Sequence, residues 1–129
     1  MYNLFISHSW AYSNQYENLI KMLKNKPYFE FKDYSVPKSD PIHNAPNTTA
    51  LRLAIANQMK YASCVLILAG VYASCSKWIN IEIDLAKTMG KRIIAIEPFG
   101  SEHTSAVVKN NADRVVKWNT DSIVDAIRS

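Results

Sequence analysis

Cys64-Val65-Leu66-Ile67-Leu68-Ala69-Gly70 is the stretch that decides how this chain folds. Val65 to Ala69 are apolar without alternation, and the run stops at a glycine. A strand with one solvated face alternates apolar and polar residues. A strand covered on both faces does not, so this run reads as a central strand of a parallel sheet. It is far too short to span a bilayer. Ile93-Ile94-Ala95-Ile96, stopped by Pro98, repeats the pattern and reads as a second central strand.

Working outward, the spacing predicts a helix over Lys77 to Met89, closed by Gly90. Upstream, Thr48 to Tyr61 is helical, with Leu51, Ala54, Ile55 and Met59 inward and Asn47 or Thr48 as cap. Leu4-Phe5-Ile6 is a buried first strand ending at Ser7-His8-Ser9. Tyr12 to Asn25 carries Tyr16, Leu19, Ile20 and Leu23 at helical spacing, with Ser13 as a candidate cap. Tyr28 to Tyr34 alternates and reads as a half-buried strand near an edge. Thr104 to Asn110 is a short helix, Arg114 to Trp118 a last strand and Thr120 to Arg128 a last helix.

Strands and helices thus alternate five times, which implies an α/β fold with a mainly parallel sheet. Five strands on this length predict a flavodoxin-like, three-layer arrangement with strand order 2-1-3-4-5. The 129 residues fit one domain over 1–129, large enough to bury roughly two thirds of the surface its unfolded chain exposes. In such a sheet ligands bind beyond the carboxyl ends of the strands, where strands 1 and 3 diverge. The segments after Ser7, Tyr34 and Gly70 would surround that crevice.

Composition narrows the function classes. The net charge of +4 is mild, and no basic run exceeds Lys91-Arg92, so there is no clustered nucleic-acid footprint. A mild positive field also suits a small anionic ligand such as a dinucleotide. Cys64 and Cys75 match no zinc or redox spacing, and their usage fits a reducing cytoplasm. Met1-Tyr2-Asn3-Leu4-Phe5 lacks the pattern of a signal peptide, and no membrane segment is expected. His8, His43 and His103 have no metal-ligand spacing, so no metal is expected. There is no P-loop and no GxGxxG. A phosphoacceptor receiver needs an acid at the end of strand 3, where Ala69-Gly70 stands. A flavin-type phosphate loop would need glycine after strand 1, where there is none.

The most informative residue is Glu82. On a helix of 3.6 residues per turn it falls about 40° from Trp78. That places it inside the arc formed by Trp78, Ile79, Ile81, Ile83, Leu85, Ala86 and Met89, with Asn80, Asp84, Lys87 and Thr88 opposite. A carboxyl group there is paired, protonated or facing a cleft, because burying an unpaired charge costs too much. Such sites raise the carboxyl pKa, and perturbed carboxylates in clefts are catalytic candidates. The competing reading is structural: Glu82 caps backbone amides or pairs with a lysine. Two further features flank the predicted crevice. Ser35 to Asn47 holds Pro37, Pro41 and Pro46 and lacks regular structure; it is either functional, with Lys38, Asp40 and His43 on phosphate or ribose, or a solvated insertion. Ser7-His8-Ser9-Trp10 offers hydroxyls and amides that can hold phosphate or ribose. By itself it is a weak signal.

Phe5-Ile6-Ser7-His8-Ser9 resembles the opening box of TIR domains. Ser76-Lys77-Trp78-Ile79-Asn80-Ile81-Glu82-Ile83 resembles their motif of Trp, three residues and Glu. Asp33-Tyr34-Ser35-Val36-Pro37-Lys38, Asp40-Pro41-Ile42-His43 and Leu68-Ala69-Gly70-Val71-Tyr72 extend the likeness over almost the whole chain. Together they resemble the TIR-like family that includes the TIR proteins of the bacterial Thoeris anti-phage system. Ile79 stands where TIR domains often carry Cys, and the segment after strand 2 lacks their usual basic, glycine-rich pattern. The resemblance implies an enzyme that cleaves the nicotinamide–ribose bond of NAD⁺, with Glu82 as the catalytic carboxylate. NAD⁺ would be a substrate, not a cofactor. Ser7, His8, Ser9, Tyr34 and Trp78 would line the substrate crevice. The implied product is a cyclic ADP-ribose-type messenger read by a separate effector, and TIR enzymes often self-associate to complete their site. The alternative is a non-catalytic TIR-like interaction module. A flavodoxin-like nucleotide or flavin binder is more distant.

Overall fold

Three apolar runs that do not alternate, each followed by a helix, leave a sheet no option but to be covered on both sides. The computed structural model describes residues 1–7, 14–35, 48–68, 77–97 and 106–129. In chain order these form β1 (Tyr2–Ser7), α1 (Asn14–Lys24), β2 (Phe31–Asp33), α2 (Thr48–Met59), β3 (Cys64–Leu68), α3 (Lys77–Thr88), β4 (Arg92–Glu97), α4 (Ala106–Asn111), β5 (Arg114–Lys117) and α5 (Thr120–Arg128). The sheet has five strands in the order β2-β1-β3-β4-β5. Every pairing is parallel, a step beyond the mainly parallel sheet expected. The architecture is the flavodoxin-like α/β fold.

The pleat sorts the central strands into two cores. Phe5, Val65, Ile67, Ile93 and Ala95 point to one face and pack against α2, α3 and Val108 of α4. Leu4, Ile6, Leu66, Leu68, Ile94 and Ile96 point to the other and pack against α1 and α5. Ser7 lies two residues beyond Phe5, so the pleat aims it at the α2–α3 side. This period-2 alternation is what delivers the first strand's last side chain to the third helix.

Helix ends follow from their sequences. Gly90 takes the left-handed conformation, φ 69°, and closes α3. Its amide bonds to the Lys87 carbonyl at 3.2 Å and the Lys91 amide to the Ala86 carbonyl at 2.8 Å, the two hydrogen bonds of a Schellman cap. Asn119 caps α5, its side chain accepting from the Ser122 amide at 3.1 Å. At the far end of α5 the Arg92 guanidinium donates to the carbonyls of Ala126, Ile127 and Ser129, tying the last helix to β4.

The clearest departure from expectation is β2. Alternation predicts a strand over Tyr28 to Tyr34, but the ladder holds only Phe31–Asp33. Tyr28 has φ 59° and its side chain is 99% exposed, a turn conformation that cannot join a ladder. The alternation itself is real: Phe29 is buried between the rings of Tyr2 and Phe31, at 5.4 and 5.8 Å. Among the described residues no helix is long and apolar enough to cross a membrane.

Candidate functional site

The amphipathic arc read from the sequence of α3 is the arc it buries. Ile79, Ile81, Ile83, Leu85 and Ala86 are in the core, while Asn80, Asp84, Lys87 and Thr88 are exposed. Glu82 shares the buried side and is only 2% exposed. Its partner is Ser7, itself 1% exposed, whose Oγ donates to Glu82 Oε1 at 2.8 Å. The pair joins the carboxyl end of β1 to the helix that follows β3. This is where strands 1 and 3 diverge, the place the topology reserves for ligands.

Removal from water dominates the electrostatics of the pair. Burial pushes the Glu82 carboxyl up to about 8 from an ordinary 4.5, and the Ser7 hydrogen bond pulls it part of the way back. Among the described residues no cation and no backbone amide reaches it. Arg52 is drawn instead to Asp84, on the outer side of α3, at 2.5 Å. Neither form of the structural alternative, lysine pairing or amide capping, therefore occurs among the described residues. What remains, among the described residues, is a carboxyl group held by one hydroxyl and poised near neutrality.

A second polar cluster stands at the end of β2. Ser35 is buried, and its Oγ accepts from the Ile6 amide at 2.8 Å. It thereby supplies to β1 the hydrogen bond that β2, already ended, cannot. The Asp33 carboxylate accepts from the Ser35 amide at 2.9 Å, from the Ser35 hydroxyl and, through its other oxygen, from the Tyr16 phenol. Burial and the adjoining Asp33 carboxylate raise the Tyr16 phenol above its ordinary range. This cluster went unread in the sequence, where Tyr16 counted only as a helix-core residue. The spacing of Asp33 and Ser35, typical of an aspartate turning back on its own backbone, was the available signal.

The remaining expected site residues fare differently. Tyr34 is partly buried, its amide donating to the Leu4 carbonyl at 2.8 Å. Its ring stacks on Tyr61 at 5.5 Å, so its aromatic contact runs toward the end of α2. Trp78 lies on α3 one turn before Glu82, and its side chain is outside the described residues, as are His8 and Ser9. Lys38, Asp40 and His43, the expected caps Ser13 and Asn47, and Cys75 also lie outside them. Cys64 is buried, and burial raises its thiol to about 11, so it behaves as an inert core residue.

A family model described as "Thoeris protein ThsB, TIR-like domain" matches residues 5–103. The matched span runs from within β1 through β4, and includes both Ser7 and Glu82. No curated protein matches the chain.

Proposed function

The chain belongs to the Thoeris ThsB TIR-like domain family, and from that premise we propose that it consumes NAD⁺ in anti-phage signalling, with Glu82 as its catalytic carboxylate. The observation that carries this reading is the buried Ser7–Glu82 pair at the carboxyl end of β1. Breaking the nicotinamide–ribose bond sends its electron pair to the departing nicotinamide and leaves an oxocarbenium-like ribose. An ionised carboxylate beside that centre stabilises the positive charge or holds the ribose hydroxyls, as carboxylates do in glycosidases.

A carboxyl that titrates near 8 is mostly protonated at neutral pH in the free protein. The pyridinium ring of NAD⁺ is itself a cation, and a cation within a few ångströms favours the carboxylate. Substrate binding therefore ionises the group that the reaction needs. Attack by water on the ribosyl centre gives ADP-ribose, and attack from within the adenine nucleotide gives a cyclic product. Kinship with Thoeris TIR proteins favours the cyclic product, released as a messenger for a separate effector. His8, Ser9, Tyr34 and Trp78 complete the crevice in this reading.

The test is incubation with NAD⁺ followed by chromatography for nicotinamide, ADP-ribose and cyclic products, with Glu82→Gln in parallel. Nicotinamide release by the parent chain and at least a hundredfold loss in the variant is the expected result. Full activity in a folded Glu82→Gln variant would remove Glu82 from the chemistry. A parent chain that binds its partners yet never turns over NAD⁺ would favour the non-catalytic interaction module.

A further inference from the structure

Ser7 has two possible roles in an NAD⁺-cleaving site. It could touch substrate, as the crevice reading has it, or it could act through Glu82. Its backbone is fixed in the ladder opposite Ile67 of β3, and its side chain is 1% exposed. Its hydroxyl proton is directed at Glu82 Oε1 over 2.8 Å. A serine hydroxyl has one proton to donate, so while Ser7 donates to the carboxylate it has none for a ribose or phosphate oxygen. Oε2 of Glu82, by contrast, has no hydrogen-bond partner among the described residues.

The surrounding charges leave Ser7 in sole control of that carboxyl among the described residues. α3 packs against α2, α4 and β4. On those elements Arg52 pairs with Asp84, Lys109 is exposed, Arg92 binds carbonyls at the end of α5, and Glu97 pairs with Lys117 at 3.2 Å.

We infer that Ser7 is a positioning residue: it occupies Oε1 of Glu82, favours ionisation of the carboxyl and leaves Oε2 for the substrate. The hydroxyl serves both protonation states. It donates to the carboxylate, and it accepts when the carboxylic acid is the donor. The carboxyl therefore never loses its anchor as it titrates. This inference rests on Glu82 being the carboxylate that acts on NAD⁺.

The test begins without substrate. Glutamate labelled with ¹³C at the carboxyl carbon is incorporated, and the Glu82 resonance is identified by its loss in Glu82→Gln. Its titration midpoint is then followed in the parent, Ser7→Ala, Ser7→Cys and Ser7→Thr. Loss of a hydrogen bond to a charged group should move the midpoint up by about one pH unit in Ser7→Ala. Ser7→Cys fills the same space with a weaker donor and should move it the same way, which covers the case of an alanine variant that does not fold. Ser7→Thr keeps the hydroxyl and should restore the parental midpoint.

In turnover at pH 7 the same variants should lose about tenfold in kcat/KM, since the ionised fraction of the free enzyme falls tenfold per unit, and the loss should vanish well above the shifted midpoint. Ser7→Thr should recover it. An unmoved midpoint in Ser7→Ala or Ser7→Cys would overturn the inference. So would a loss in kcat/KM that persists well above the shifted midpoint, which would make Ser7 a substrate ligand. Absence of NAD⁺ turnover in the parent overturns the catalytic half alone, because the titration is read without substrate.

Discussion

Replacing Glu82 by glutamine should stabilise this protein, and by an amount that depends on pH in a way that identifies the cause. In the folded chain the carboxyl titrates near 8, against an ordinary 4.5. Between those values the fold keeps the proton while the unfolded chain releases it. The unfolded state then binds fewer protons, so wild-type stability falls as pH rises through the window. Each pH unit is worth about 1.36 kcal/mol, giving about 3 kcal/mol at pH 7 and about 5 kcal/mol above pH 8. A neutral glutamine has no proton to lose and still offers an oxygen to Ser7. Glu82→Gln and wild type should be nearly equal in stability at pH 4.5, and the variant should be about 3 kcal/mol more stable at pH 7. Urea denaturation followed by circular dichroism at pH 4.5, 6, 7 and 8.5 measures this directly. Other titrating groups are common to both chains and cancel in the difference. Against a typical total of roughly 5–15 kcal/mol the effect is large. A difference that stays constant with pH, or a wild type that gains on the variant as pH rises, would refute the account of a buried, uncompensated carboxyl.

The same titration should appear in catalysis: kcat/KM for NAD⁺ should rise with pH to a plateau, with a midpoint near 8 in the free enzyme. In kcat, which reports the complex, the midpoint should be lower because the cationic substrate favours the carboxylate, and a flat profile in both would contradict the assignment. Ser35→Ala removes the acceptor of the Ile6 amide and one donor to Asp33, and urea denaturation should register a loss of about 2 kcal/mol. Gly90→Ala meets no atom within 4 Å, so it should cost only the left-handed backbone, about 1 kcal/mol, visible as a lowered melting temperature with unchanged activity.

The fold was legible because its signals are periodic. The unbroken run at Val65–Leu68 needs cover on both faces, and β3 has it. The placement of Glu82 inside the apolar arc of α3 followed from 3.6 residues per turn alone. Local conformation was harder to read. Nothing in the alternation of Tyr28 to Tyr34 revealed that Tyr28 turns left-handed, so β2 starts three residues later than its pattern. The partner of Glu82 was not legible as a partner. Ser7 stands 75 residues away, and only the sheet register, which pairs β1 with β3, brings the two together. Both its hydroxyl at the end of the first strand and the family likeness mark Ser7 as a crevice residue, but neither points to Glu82, the partner it has in the structure. The Tyr16–Asp33–Ser35 cluster escaped for the same reason: it joins a helix, a strand end and the turn after it, and no window of sequence contains all three.

Ser35 limits how far the end of β1 depends on its neighbours in the chain. The Ile6 amide is satisfied by a side chain, not by a continuing strand. The end of β1, and with it Ser7, is therefore insulated from whatever chain follows Ser35. A change of length or composition there would leave this hydrogen bond of β1 made, close to Glu82. A single serine thus fixes the end of β1 without help from the chain beyond it.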